Sequence, residues 1–137
     1  MLITSETSLK VRYSETDQMG VVHHGNYAQY LELARIDWLS KLGVSYKSME
    51  GSGIMLPVFA MDFKFKKSAF FDDELTIKTM LRKIPTVSII FDFEVYNQNQ
   101  ELLTIASTTL VFVNSKTRKP IQCPSYLIDK IKKILIP

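Results

Sequence analysis

Residues 26–43, NYAQYLELARIDWLSKLG, carry the reading that decides the fold. Tyr27, Leu31, Ala34, Trp38 and Leu42 follow one another at steps of three and four, the spacing of one helix face. Tyr30, Leu33 and Leu39 widen that apolar sector, so the spacing predicts a long helix wrapped by other structure. Asn26 stands where a side chain can cap the first turn, with Gln29 three residues on as in a capping box. Gly43 suits the left-handed residue that follows a helix end. Glu32 and Arg35, three apart, read as an ion pair on the helix surface.

Outward from this helix the period changes to two. Upstream, residues 7–13 alternate Leu9, Val11 and Tyr13 with Lys10 and Arg12, a short strand. Downstream, Phe59, Met61, Phe63 and Phe65 alternate with polar or small residues, and so do Leu75, Ile77, Thr79 and Leu81. Val87, Ile89, Phe91, Phe93 and Val95 make a third run. A fourth, residues 102–113, is apolar or Thr-rich on both faces, which predicts a central or interface strand. Asp72-Asp73, Ile84-Pro85 and residues 97–99 are the turns between them, and residues 124–135 read as a closing helix that starts near Pro124 or Ser125. The order β–α–β–β–β–β–α gives an α+β fold with a single antiparallel sheet. Phe, Ile and Thr at nominally outward sheet positions imply that another subunit covers the far face.

Composition bounds the function. The chain has 137 residues, 46% hydrophobic and 23% charged, and no repeat or linker, so residues 1–137 are expected to form one domain. Gly and Pro total ten, and all five glycines lie between positions 20 and 53, which places the sharp turns in the front of the chain. The one cysteine, Cys123, has no intrachain partner and fits a reducing compartment. No apolar run reaches the ~20 residues of a membrane span. The start, MLITSETSLK, lacks a basic segment followed by an apolar one, so no secretory signal is expected and a cytoplasmic location is. A net charge of +3 is too mild to point to nucleic acid.

Chemistry-bearing residues concentrate in residues 13–27, YSETDQMGVVHHGNY, between the first strand and the helix start. A helix N-terminus offers unpaired N–H groups and partial positive charge to a developing oxyanion. Asp17 and His24 lie on the segment that feeds it. Carboxylate, imidazole and amides together fit acyl transfer or hydrolysis. An Asp ahead of a helix is also a common cap or turn former, so spacing alone leaves both readings open.

The run from Tyr13 to Tyr27, with Glu32, Ala34-Arg35 and Trp38-Leu39, resembles the hot-dog-fold acyl-CoA thioesterases. The subgroup it resembles is that of 4-hydroxybenzoyl-CoA thioesterase and the Tol–Pal-associated short-chain enzyme. The match consists of Asp17, Gly20, Val21-Val22, His23-His24, Gly25 and Asn26-Tyr27. A second signature is matched by Phe65-Lys66-Lys67-Ser68-Ala69-Phe70-Phe71-Asp72-Asp73-Glu74-Leu75, and Arg118-Lys119-Pro120 also fits. The resemblance implies a hot-dog fold, a long central helix wrapped by a single antiparallel sheet. It places Asp17 at the catalytic carboxylate, as nucleophile or as general base toward water. It gives the backbone N–H of His24, with that of Gly25, the task of polarising the thioester carbonyl, and sets the His24 side chain near the reacting centre.

Tyr13, His23 and Asn26 are the candidate substrate contacts in the same motif. Two departures stand out: Ser68 replaces the usual Pro, and Phe70 the usual Arg. Lys64, Lys66 and Lys67 then become candidates to hold coenzyme A phosphates, the first two together if they share a strand face.

The function so implied is hydrolysis of acyl-CoA or acyl-carrier-protein thioesters to a free acid and a thiol, by a homodimer or homotetramer. No cofactor is expected, since coenzyme A enters as part of the substrate. No metal is expected either, because two adjacent His and a distant Cys123 are too few ligands. Two alternatives remain: a non-catalytic acyl-thioester or carrier-protein binding module, and a hot-dog hydratase or dehydratase.

Overall fold

The computed structural model describes residues 2–135; residues 1, 136 and 137 of the expected domain lie outside the described residues. Strand β1 (Leu2–Lys10) leads through the residue 13–27 loop to helix α1 (Tyr27–Lys41). A short helix α2 (Tyr46–Gly51) and strand β2 (Ile54–Met55) follow, and then the long strands β3 (Val58–Phe65), β4 (Glu74–Leu81), β5 (Ser88–Tyr96) and β6 (Leu102–Val111). Strand β7 (Val113–Asn114) and helix α3 (Ser125–Leu135) close the chain. Five strands form one antiparallel sheet in the order β1-β4-β5-β6-β3, and β2 pairs with β7. This is the α+β architecture the alternation implies; β5 is the middle strand, and β6, expected as a central or interface strand, is an interior one between β5 and the edge strand β3.

The register explains why α1 sits where it does. Thr79, Phe93, Ala106 and Phe63 lie opposite one another across four strands, so they share one face of the sheet. On that face Leu75, Ile77, Leu81, Phe91 and Phe93 are fully buried, against Tyr30, Leu31, Ala34, Trp38 and Leu39 of α1. The Trp38 and Phe91 rings meet edge to face at 5.0 Å. Three polar contacts fix the helix along β1: the Thr7 hydroxyl donates to Asp37 (2.6 Å), Trp38 Nε1 to the Ile3 carbonyl (3.2 Å), and Lys41 bridges Asp37 (2.8 Å) and the Glu6 carbonyl.

Several expectations are corrected. The first strand runs over residues 2–10 rather than 7–13, because its helix-facing positions include Ser5 and Thr7, hydroxyls that the apolar alternation passes over. Tyr13 has left the strand and opens a single 3-10 turn. Asn26 does not cap α1; it adopts helical angles and its side chain is used elsewhere, while a 3-10 turn over His24–Asn26 leads into the helix. Gly43 does take the left-handed conformation, at φ +90°.

The wrapping of α1 is incomplete: Leu33 and Ile36 remain exposed on the face turned away from the sheet. Arg35 is not part of a surface pair, since it turns inward, 7% exposed, with its guanidinium 5.4 Å from the Tyr46 ring centre. The phenylalanines of β5 face the helix, so the far face of the sheet carries Lys78, Asp92 and Glu94 beside Met80, Ile90 and Ile105. Helix α2 and strand β2 are additions that a six-residue and a two-residue element give no period to detect. No helix among the described residues is long and apolar enough to cross a membrane.

Trp38→Ala removes the largest ring from this contact and should cost about 3–5 kcal/mol of unfolding free energy, read from the shift of the urea midpoint. A loss below about 1 kcal/mol would mean that the helix–sheet contact is not the main source of stability.

Candidate active site

The loop ahead of α1 is a built structure rather than a tether. A turn closes where Gly20 N–H donates to the Asp17 carbonyl (3.0 Å), with Gly20 at φ +79°, a conformation that costs glycine nothing. The Asp17 N–H donates to the Val21 carbonyl (2.9 Å), and Thr16 pairs with Val22 across the turn. The far arm is stitched to the stretch between β3 and β4: Val22 N–H donates to the Ala69 carbonyl (2.8 Å), and Val21 pairs with Phe70. Asp17 therefore sits at a tight bend whose two ends are anchored. Its Oδ1 accepts from the Met19 amide at 2.8 Å, and its Oδ2 accepts no hydrogen bond from a described residue.

Asp17 and His24 line one cavity of about 350 Å³, together with Tyr27, Phe65, Lys66 and Ser68. A roomier groove of about 660 Å³ lies by Trp38 and Leu42 at the other end of α1, but it brings no carboxylate to an imidazole. Chemistry, not volume, decides between them. The start of α1 shapes the cavity electrically. In the 3-10 turn the Asn26 amide donates to the His23 carbonyl and the Tyr27 amide to the His24 carbonyl. The Gly25 amide is committed as well, to Nδ1 of His23 at 3.1 Å. That leaves the His24 amide as the one in this turn that donates to no described residue, at the positive end of the helix.

The other sequence-predicted residues divide. His23 serves the turn through Nδ1 and stacks on His24 with ring centres 4.3 Å apart. The Asn26 side chain donates to the Glu15 carbonyl (2.8 Å). Tyr13 is exposed and meets the Phe71 ring edge-on at 5.6 Å. Lys66 and Lys67 line the cavity, although Lys67 is also paired with Glu101 at 2.7 Å. Lys64 is not with them: it lies on β3 opposite Ile105, on the far face of the sheet, whereas Lys66 follows the strand's end. The two do not share a strand face.

Two aromatic residues of the matched motifs, to which the sequence reading gave no site role, line the cavity. The Tyr27 ring packs on Phe65 at 5.3 Å, and His24 on Phe65 at 6.4 Å. Burial pushes the Tyr27 phenol above its ordinary range, so it stays a neutral hydroxyl. Cys123 is remote from this cluster, and burial pushes its thiol up to about 12, so it holds no thiolate near neutrality. Among the described residues no group of three or more His, Cys, Asp or Glu is arranged to hold a metal ion.

The residue that sequence reasoning missed is Glu15. It is buried (7% exposed). Its carboxylate accepts from the Arg12 amide (2.8 Å), the Arg12 guanidinium (3.0 and 3.1 Å) and the Tyr30 hydroxyl (2.8 Å). A buried acidic side chain two residues from Asp17 has no signal in hydropathy, because its burial depends on particular partners, Arg12 three residues back and Tyr30 fifteen residues on. Desolvation pushes its carboxyl up, but the Arg12 amide, the Tyr30 hydroxyl and the Arg12 guanidinium together hold it below the usual range.

A carboxyl with a lowered folded-state pKa stabilises the fold above its unfolded value and loses that contribution as pH falls through the folded one. The stability difference between the wild type and Glu15→Gln should therefore be largest near neutrality. It should shrink once the pH drops below the ordinary glutamate value of 4.5. Urea titrations at several pH values read this directly, and a constant difference would contradict the assignment.

Comparison with known proteins places the chain in a family. The model of the thioesterase-like superfamily matches residues 11–132. A Bacillus subtilis protein named putative acyl-CoA thioesterase YneP is 31% identical over 118 residues, 86% of each chain. A Staphylococcus aureus DHNA-CoA thioesterase superposes with a TM-score of 0.92 at 39% identity, covering 98% of this chain and 92% of that one. A Thermus thermophilus structure, TT1821, gives a TM-score of 0.88 at 32% identity, with 94% and 98% covered. The chain belongs to the thioesterase-like superfamily, has its hot-dog fold, and is a thioester hydrolase.

Proposed function

We propose that the chain hydrolyses acyl-CoA thioesters in the Asp17 cavity. The observation that carries this reading is the pairing of a carboxylate with one free oxygen, Asp17 Oδ2, and an uncommitted amide at a helix start, His24 N–H, on one cavity wall. The thioester oxygen accepts from the His24 amide, which holds the negative charge that develops there. Asp17 either takes a proton from water as the water oxygen bonds to the carbonyl carbon, or bonds to that carbon itself to give an anhydride that water then cleaves. In both routes the C–S bond breaks and the coenzyme leaves as a thiol once it gains a proton. No separate cofactor enters either route.

The acyl group is proposed to be aromatic. Tyr27, Phe65 and the His24 ring offer it edges and faces, and among the structural neighbours are the Staphylococcus aureus DHNA-CoA thioesterase and a Synechocystis 1,4-dihydroxy-2-naphthoyl-CoA thioesterase. Lys66, exposed at the cavity mouth, replaces the missing arginine of the second signature as a phosphate contact.

The chain is further proposed to act as a dimer. Strand β3 pairs with β6 on one side, and its other edge carries Phe59 at 77% and Phe65 at 50% exposure. An edge this apolar and unpaired fits strand addition by a second copy.

Thiol release from a panel of aryl and straight-chain acyl-CoAs tests the reading. Asp17→Asn should lower kcat by at least about 10²-fold on the best substrate, and wild-type turnover in that variant would sink it. Aryl esters should exceed C4–C8 esters by about tenfold in kcat/KM, the scale of a few kcal/mol of aromatic contact. Lys66→Ala should raise KM about tenfold for acyl-CoA and leave it unchanged for the matching acyl-pantetheine, which lacks the nucleotide phosphates. Sedimentation should show a dimer or a dimer of dimers, and Phe59→Glu should shift it toward monomer; a monomeric wild type would refute the edge pairing.

A further inference from the structure

Asp17 is held to its own loop by a single side-chain hydrogen bond, from the Met19 amide, so its place relative to the helix start is decided by what holds the loop. Beside the turn's own bonds and its anchor at Ala69, the ties from the loop to the segments on either side of it converge on one residue. The Glu15 carbonyl accepts from the His23 amide (2.9 Å) and from the Asn26 side chain (2.8 Å), which ties it to the segment presenting the His24 amide. The Glu15 carboxylate accepts from both the amide and the guanidinium of Arg12, two residues beyond β1, and from the Tyr30 hydroxyl one turn into α1. Strand end, loop, 3-10 turn and helix thus meet at a buried acid.

We infer that Glu15 is a positioning residue for the thioester hydrolysis proposed above. Clamped between Arg12 and Tyr30, it sets the separation between the Asp17 carboxylate and the His24 amide. The inference rests on the reading of Asp17 as the reacting carboxylate.

The physical reason is the narrow tolerance of the reaction. Carboxylate, carbonyl carbon and oxyanion donor must be placed together to within a fraction of an ångström, and a misplacement near 1 Å costs on the order of 10²-fold in rate. Asp17 and the His24 amide stand on separate elements, a turn and a helix start, joined covalently through the six residues 18–23, which include Gly20. A path that permissive does not fix a distance by itself. The clamp shortens it: two residues lead from Glu15 to Asp17, and one hydrogen bond from Glu15 reaches the amide of His23, next to His24. Glu15 itself lies outside the cavity, so it acts through this geometry and touches no substrate.

Tyr30→Phe is the cleanest test, since it deletes one hydroxyl and keeps the buried ring. In that variant kcat should fall about tenfold or more, while KM for the same acyl-CoA moves less than about threefold. Glu15→Gln keeps an oxygen for the Arg12 amide and the Tyr30 hydroxyl, so it should retain more kcat than Glu15→Ala. Amide exchange measured by NMR reads the loop without turnover. The Met19 and Gly20 amides, both tied to Asp17, should exchange at least about tenfold faster in Tyr30→Phe than in the wild type. Folded variants with kcat within twofold of wild type would overturn the inference, and so would a fall in kcat with exchange at Met19 and Gly20 unchanged. Should Glu15→Ala fail to fold, Tyr30→Phe decides. Asp17→Asn separates the two levels: full activity there removes the reading of the site, while the exchange measurement still judges the clamp.

Discussion

The burial of one face of α1 in the concave side of the sheet is the constraint on which the rest depends. Once Tyr30, Leu31, Ala34, Trp38 and Leu39 are packed against Ile77, Phe91 and Phe93, the helix has one place along the sheet, and its start has one place at the sheet's end. Apolar contact alone is non-directional and would allow sliding. The bonds from Thr7 to Asp37 and from Trp38 to Ile3 remove that freedom along β1. A helix start fixed in this way keeps its positive end at one place, beside the cavity that His24 lines.

The site is built by subtraction. Four consecutive amides begin the helical segment, and three are taken: Gly25 by His23, Asn26 by the His23 carbonyl, and Tyr27 by the His24 carbonyl. The fourth, the amide of His24, donates to no described residue and is the one proposed to meet the thioester oxygen. The two adjacent histidines are therefore unlike one another despite their matching chemistry. One completes the turn; the other opens on the cavity. The lysines divide for a similar reason. Period two sends Lys64 to the far face, while Lys66, past the end of β3, is released from that alternation and reaches the cavity mouth.

Much of this was legible in the chain. Residues 27–41 show the helix because apolar side chains three and four apart must meet the same sheet; β3 to β5 show themselves because each alternates against that helix, and β6 by a run apolar or Thr-rich on both faces. Asp17 and His24 were legible as members of a dense polar motif next to a helix start. Less so was β1, where Ser5 and Thr7 occupy inward positions that hydropathy assigns to solvent. Arg35 and Glu15 were read as solvated or not read at all, since charged side chains are buried only when particular partners wait for them. For Glu15 those partners are Arg12, three residues away, and Tyr30, fifteen away.

The order of residues alone determined the long helix, the four long strands after it, their antiparallel character, and the motif in which the chemistry is concentrated. Local period and turn chemistry suffice for these, because each is decided within a few residues. The tertiary structure alone decided which amide stays uncommitted, which lysines face the cavity, and that a buried acid joins the loop to the helix. Those outcomes are set by distances between segments that approach only after the core has formed, and no linear spacing encodes them.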